Sequence, residues 1–180
     1  MKTLLCLLAL VATCWALRCE RFPDGSYYKL HYVECDKTNI IKALTAHVED
    51  ENGEPMYPIN VLDAATIASD VLNRGPPVQK VVGAVKLYTR RTFWGCGWTK
   101  IPTFGLLSNI DLCDEESGSN CPIKSGRTQT RTRVNFKKYS TIVALMSTSK
   151  AYKLEVTYTE RGTGKKLGCY RATTRISKED

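Results

Sequence analysis

Six cysteines behind an apolar leader constrain this chain more than any other feature. Lys2 gives the leader a positive start, and Leu4 to Ala12 form an unbroken apolar run. Cys14-Trp15-Ala16 then places small residues at the two positions a signal peptidase inspects, so residues 1–16 read as a signal peptide and 17–180 as the mature chain. Leu4 to Ala12 is too short for a membrane anchor, since a helix needs about 20 apolar residues to cross the hydrocarbon core. Cys6 and Cys14 leave with the leader, and Cys19, Cys35, Cys96, Cys113, Cys121 and Cys169 remain. An even number in a secreted chain predicts three disulfides, with their connectivity open. A zinc site is disfavoured: there is no Cys-x-x-Cys pair, and His31 and His47 lie far from most of the cysteines. No metal or other cofactor is expected. There is no Asn-x-Ser/Thr sequon to carry an N-linked sugar.

The mature length suits one domain with a real core, and no repeat or linker divides it. Period-two alternation is the dominant pattern. Tyr152, Leu154, Val156 and Tyr158 alternate with Lys153, Glu155 and Thr157, and Thr128, Thr130, Thr132, Val134 and Phe136 alternate with Arg127, Gln129, Arg131, Arg133 and Asn135. Further strands are predicted at 27–34, 40–48, 59–69, 78–90, 141–147 and 169–176. The stretch from Ile59 to Leu72 mixes alanines that suit a helix with β-branched residues that suit a strand, and reads as strand. Turn signals such as Asn52-Gly53-Glu54-Pro55, Arg74-Gly75-Pro76-Pro77 and Gly162-Thr163-Gly164 separate these segments. The fold class is all-β, a two-sheet sandwich or an open β-cup.

The span from Phe93 to Ile110 breaks the alternation. It gathers Trp94, Trp98, Ile101, Phe104, Leu106 and Leu107 among glycines, and is either folded over a core or offered to something apolar. Catalytic constellations are missing. There is no Gly-x-Ser-x-Gly elbow, every mature cysteine has a prospective covalent partner, and Gly162-Thr163-Gly164-Lys165-Lys166 lacks both the leading glycine and the Ser or Thr of a phosphate loop. Lys and Arg number 26 against 18 acids, a net charge of +8. That surplus favours anionic partners such as a membrane surface, and secretion argues against nucleic acid.

Several short motifs then fall in the order of a known family. Cys35-Asp36, Trp98-Thr99-Lys100-Ile101-Pro102 with Cys113-Asp114 after it, Cys121-Pro122-Ile123-Lys124-Ser125-Gly126 and Gly164-Lys165-Lys166-Leu167-Gly168-Cys169 together resemble the ML lipid-recognition family. The likeness is greatest to its lysosomal ganglioside activator, and the family also holds sterol-transfer and mite-allergen relatives. The resemblance implies an immunoglobulin-like β-sandwich opened into a cup whose apolar cavity holds acyl chains. It implies no enzymatic chemistry, but a protein that lifts or carries a glycosphingolipid or phospholipid and, in the activator, presents it to a lysosomal glycosidase. It also implies that Cys35 pairs with Cys169 and Cys113 with Cys121, which leaves Cys19 for Cys96. Two departures stand out. The activator's long apolar insertion is replaced here by the polar run Asp114 to Asn120, and Thr103 follows Pro102 where the activator has a cysteine.

On this reading Val85, Leu87, Val134, Phe136, Leu154, Val156 and Tyr158 line the cavity. Trp94, Trp98, Ile101, Phe104, Leu106 and Leu107 form its membrane-facing rim, where tryptophan tolerates the boundary between water and acyl chains. Arg127, Arg131, Arg133, Lys137 and Lys138 form a basic strip for anionic membranes. The expected location is the extracellular space or the lysosomal lumen. The alternative is a secreted innate-immune or signalling module that binds a microbial lipid or a protein receptor.

Overall fold

Two antiparallel sheets face one another without closing into a barrel. The computed structural model describes residues 19–35, 37–92, 95–114, 116–117 and 121–179. Its strands are β1 (His31–Glu34), β2 (Ile41–Glu49), β3 (Ile59–Asn60), β4 (Ala64–Asn73), β5 (Val81–Arg91), β6 (Gly97–Lys100), β7 (Ile110–Asp111), β8 (Gly126–Asn135), β9 (Ala151–Glu160) and β10 (Lys166–Ser177), with one α-helix among the described residues, α1 (Ser140–Ala144). The larger sheet runs β1-β10-β9-β5-β6, with β7 also beside β5 and the short β3 parallel to the end of β10. The smaller sheet runs β2-β4-β8.

Side-chain alternation orients both sheets. Along β8 the even-numbered Thr128, Thr130, Thr132 and Val134 are half-buried, while Arg127, Gln129, Arg131 and Arg133 are exposed. The stretch from Ile59 to Leu72 is strand with a break at Val61–Asp63. There the Leu62 N–H donates to the Asn60 side-chain oxygen, a local turn that interrupts the ladder. Small alanines suit β4 because it is the central strand, and Ala65 and Ala68 are buried on its two faces.

The predicted strand at 141–147 is instead α1. The Lys137 N–H donates to the Asn135 side chain, which starts a 3-10 turn at Phe136–Tyr139 that leads straight into the helix. Ile142 and Val143 are consecutive and both buried. A strand would send them to opposite faces, whereas one turn of helix lets both reach the core.

The core is divided. One cluster holds Val61, Leu87, Ile101, Ile142, Val143, Tyr152 and Ile176 at one end of the sheets. The second holds Ile41, Val71, Val78, Val81 and Leu167 at the other. Disulfides Cys35–Cys169, Cys113–Cys121 and Cys19–Cys96 staple the framework, with Cα–Cα distances of 5.2, 5.5 and 5.2 Å.

Candidate functional site between the sheets

The midsection between the two core clusters is where the inner faces stay accessible. Val85 on β5 lies directly opposite Val156 on β9, both point inward, both are only half-buried, and neither joins a core cluster. Across the gap, Ile67 sits midway along the central strand β4, opposite Thr132 of β8. It shares its face with Val71, which packs in the second cluster, so it points toward the larger sheet. Even so it is 39% exposed. An inward aliphatic on a central strand can be reached by water only if the sheets stand apart there.

The two lateral edges of this gap differ. On the β1/β10 side the sheets are stitched. The Tyr170 hydroxyl donates to the Ile41 carbonyl at 2.7 Å and accepts from the Ala43 N–H at 2.7 Å, and the Tyr32 hydroxyl donates to the Leu44 carbonyl at 3.2 Å. Near one end of the β5/β8 side the chain crosses by the Val78–Ile123 bridge, and farther along the Arg133 N–H donates to the Ser117 carbonyl. At the level of Val85 that edge is flanked by the segment after β6, because the Val85 N–H donates to the Leu107 carbonyl at 2.8 Å.

This segment is anchored at both ends and bare in the middle. Ile101 is 6% exposed and Leu107 packs against the first cluster. Between them Phe104 is 74% exposed and Leu106 48%. Phe104 has φ of +49° and Gly105 of +79°, and the turn is closed by Leu106 N–H to Thr103 O and Ser108 N–H to Gly105 O. A phenylalanine in the left-handed region, turned out into water, carries a steric cost with no packing return inside the chain.

The structure redistributes several residues read from sequence. Leu87 is closed into the first core cluster rather than lining the gap, and Phe136 packs against that cluster from the 3-10 turn rather than from a strand. Leu154 and Tyr158 sit at the two ends of the gap, packed against the first and second clusters respectively. Burial, with Tyr170 close by, pushes the Tyr158 hydroxyl up to about 12. Val134 lies on the inner face opposite buried Ala65. Ile101 is core rather than rim. Trp98 is on the outward face of the larger sheet, opposite Arg90 and away from the gap, because β6 continues the β5 pleat. Trp94 and the leader 1–16 lie outside the described residues. Ile67, Tyr32 and Tyr170 were not singled out by sequence. The alternation Ala65, Ile67, Ser69, Val71 was the available signal for Ile67, and nothing in the sequence marks the tyrosine stitching.

The basic strip is neutralised where it stands. Arg127 pairs with Asp70, Arg131 with Glu49 and Lys138 with Glu116; Arg133 reaches Glu51 at 3.0 Å and Lys137 reaches Asp63 at 4.0 Å. The sequence shows the cations of β8 but not the acids that β2, β4 and the adjoining turns set beside them. The Arg127 guanidinium holds the Asp70 carboxyl below the usual range. The strip is thus a lattice of ion pairs rather than a free cationic patch.

A cleft of about 520 Å³ opens near the end of the molecule, lined by Asp50, Glu51, Asn52, Tyr57, Asp63 and Glu179 among others. Its acidic wall does not suit an acyl chain. Among the described residues no group of His, Cys, Asp and Glu side chains could hold a metal ion.

A comparison with protein-family models matches residues 30–176 to the ML domain of the E1, DerP2 and DerF2 type. The chain belongs to the ML domain family. The family is generally lipid-binding and non-catalytic in kind, which supports a lipid-recognition role. No curated protein matches this ML domain protein. Two facing antiparallel sheets left open as a sandwich are the fold that the family leads one to expect.

Proposed function

We propose that this protein carries a lipid whose acyl chains lie between the sheets, against Val85, Val156 and Ile67, and enter on the β5/β8 side past Phe104 and Leu106. The observation that carries the reading is Ile67, an inward-facing aliphatic of a central strand that is 39% exposed. Burying such a surface under an acyl chain is favourable by roughly 25 cal/mol per Å² of apolar area removed from water. The exposed Phe104 and Leu106 offer a first apolar contact to a membrane or to the departing chain.

Carriage is better supported than presentation to a hydrolase. A glycosphingolipid-activator role, with a lysosomal glycosidase as partner, rests on the motif likeness to the ganglioside activator. The polar run Asp114 to Asn120 stands where that protein has an apolar insertion. The reading includes secretion through the leader 1–16 to the extracellular space or the lysosomal lumen, with residues 17–180 as the working domain. Three disulfides among the described residues suit such an oxidising route.

The test is extraction and mass spectrometry of lipid from the purified disulfide-intact protein, with titration by a fluorescent fatty acid. A stoichiometric lipid or saturable probe binding is expected. Empty protein that also fails to bind fatty acid, phospholipid and glycosphingolipid probes would remove the proposal.

A further inference from the structure

The outer face of the larger sheet carries a cluster of basic side chains. There, strand register lines up Lys86, Tyr88 and Arg90 of β5 with Lys153 and Glu155 of β9, Arg171 of β10, and Trp98 and Lys100 of β6. All point away from the gap, since Leu87 and Leu154 between them point inward. Glu155 is the one carboxylate in this set. It is shared by Lys86 at 3.0 Å and Arg171 at 3.5 Å. Among the described residues no carboxylate lies within ion-pair distance of Arg90, Lys100 or Lys153. On the smaller sheet, by contrast, every cation of the strip from Arg127 to Lys138 is matched to an acid.

Arg90 and Lys153 are held together rather than splayed. The Lys153 ammonium lies 4.6 Å from the Tyr88 ring centroid and 5.0 Å from that of Trp98, and the Arg90 guanidinium carbon lies 5.4 Å from the Trp98 ring. Trp98 is therefore a shared platform for two cations. Arg90 is also oriented, because its Nε–H donates to the Glu20 carbonyl at 3.1 Å while the Cys19–Cys96 bridge ties that segment to the β5/β6 edge. Among the described residues no hydrogen bond engages the terminal N–H groups of the guanidinium, which can form a fork. Lys153 is half-buried, and partial burial together with Arg171 and Arg90 draws its ammonium below the ordinary lysine value, with Glu155 opposing. Two like charges fixed by aromatic walls without a counter-ion form an arrangement that an oxyanion relieves.

We propose that Arg90 and Lys153, framed by Tyr88 and Trp98, form a binding site for a phosphate- or sulfate-type oxyanion on the outer face of the larger sheet. Arg90 supplies a planar pair of donors and Lys153 a point charge, and Lys100 in the neighbouring strand adds to the local potential. The site is independent of the lipid gap, which lies on the opposite face of the same sheet. A free phosphate and the phosphate headgroup of a lipid would present the same oxyanion.

The experiment is an NMR titration of the full disulfide-intact protein, following the Trp98 indole N–H and the Arg90 Nε–H. Sodium phosphate and sodium sulfate are compared with sodium chloride at constant ionic strength. Saturable shifts are expected with phosphate and sulfate but not with chloride. Arg90→Gln and Lys153→Gln each weaken the affinity roughly tenfold, the loss of one charge-assisted contact. Arg127→Gln on the smaller sheet leaves it unchanged. Arg90→Lys and Lys153→Arg keep the charge and retain saturable binding, which separates loss of the site from loss of fold. Cosedimentation with phosphatidylcholine vesicles containing phosphatidate, with and without competing glycerol phosphate, identifies the source. Competed vesicle binding marks a lipid headgroup, and saturable titration without vesicle binding marks a free anion. Equal shifts with chloride, or undiminished phosphate affinity in the Arg90→Gln/Lys153→Gln double variant, would overturn the site.

Discussion

Replacing Ile67 with glutamine and Ile142 with alanine separates a lipid-lining residue from a core residue of the same type. Ile142 is 3% exposed inside the first cluster. Its truncation removes transfer energy and leaves a cavity, a loss of about 2–5 kcal/mol. At about 2–4 °C per kcal/mol for a domain of this size, a central loss of about 3 kcal/mol lowers the melting temperature by about 6–12 °C. Ile67 is 39% exposed, so only about three-fifths of its burial energy of about 1.5–3 kcal/mol is engaged. Solvent or lipid refills the space, so no cavity cost is added. Glutamine keeps much of the side-chain length, and the expected loss is about 1 kcal/mol, or about 2–4 °C. Lipid binding responds in the opposite order. An acyl chain laid over the amide must strip it of water at about 1–3 kcal/mol, which weakens affinity roughly 5- to 150-fold. Scanning calorimetry and displacement of a fluorescent fatty acid, both with disulfides intact, read the two quantities. If Ile67→Gln melts as low as Ile142→Ala while probe affinity is unchanged, Ile67 is ordinary core and the gap is not the lipid site.

Other outcomes follow from the same geometry. Phe104→Asp is expected to slow lipid transfer between vesicles while the melting temperature stays within about 2 °C, because a ring that is 74% exposed contributes little packing; equal transfer rates would show that the turn is not the entrance. Arg131→Gln leaves Glu49, 5% exposed, with the His47 ring at 2.9 Å as its remaining side-chain partner among the described residues. It should destabilise by about 1–3 kcal/mol in urea unfolding without lowering binding to anionic vesicles, whereas a large drop in vesicle binding would restore the strip as a membrane contact. Serine in place of Cys35 and Cys169 opens a loop of 134 residues, against 8 for Cys113 and Cys121. The chain-entropy model gives losses of about 5 and 2.5 kcal/mol respectively, and equal denaturation midpoints for the two double variants would contradict it. The carboxyls of Asp70 and Glu155 are both held below their ordinary values, chiefly by hydrogen bonds from Arg127 and Lys86. Because the folded values lie below the unfolded ones, this stabilisation is complete above the ordinary 3.8 and 4.5 and is lost as pH falls through the folded values. The melting temperature should therefore be flat in mildly acidic buffer and fall only below that range, and Asp70→Asn should make the fall shallower.

The sequence by itself determined the class of the fold and the faces of its strands. Alternation in β8 and β9 is a local property of the pleat, so Thr130, Val134 and Val156 could be assigned inward and Arg127 outward from spacing alone. The number of cysteines announced a stapled domain, and the motif order announced the family and two of its bridges. The helix at Ser140–Ala144 was not legible, because its residues favour strands locally and are overruled by the chance to bury Ile142 and Val143 together. Tertiary structure alone decided which inward residues are core and which line the gap. Leu87 and Val85 sit two residues apart on one face of one strand, yet only the first has a partner cluster across the gap. The same holds for charge. Five cations in 127–138 are conspicuous in sequence, but their counter-ions come from β2, β4 and neighbouring turns, while Arg90 and Lys153, far apart in the chain, meet over Trp98 with no counter-ion among the described residues. Alternation reports direction, which each strand carries within itself. Distance to the opposite sheet, and the sign of the nearest charge, depend on strands that only the folded chain brings together.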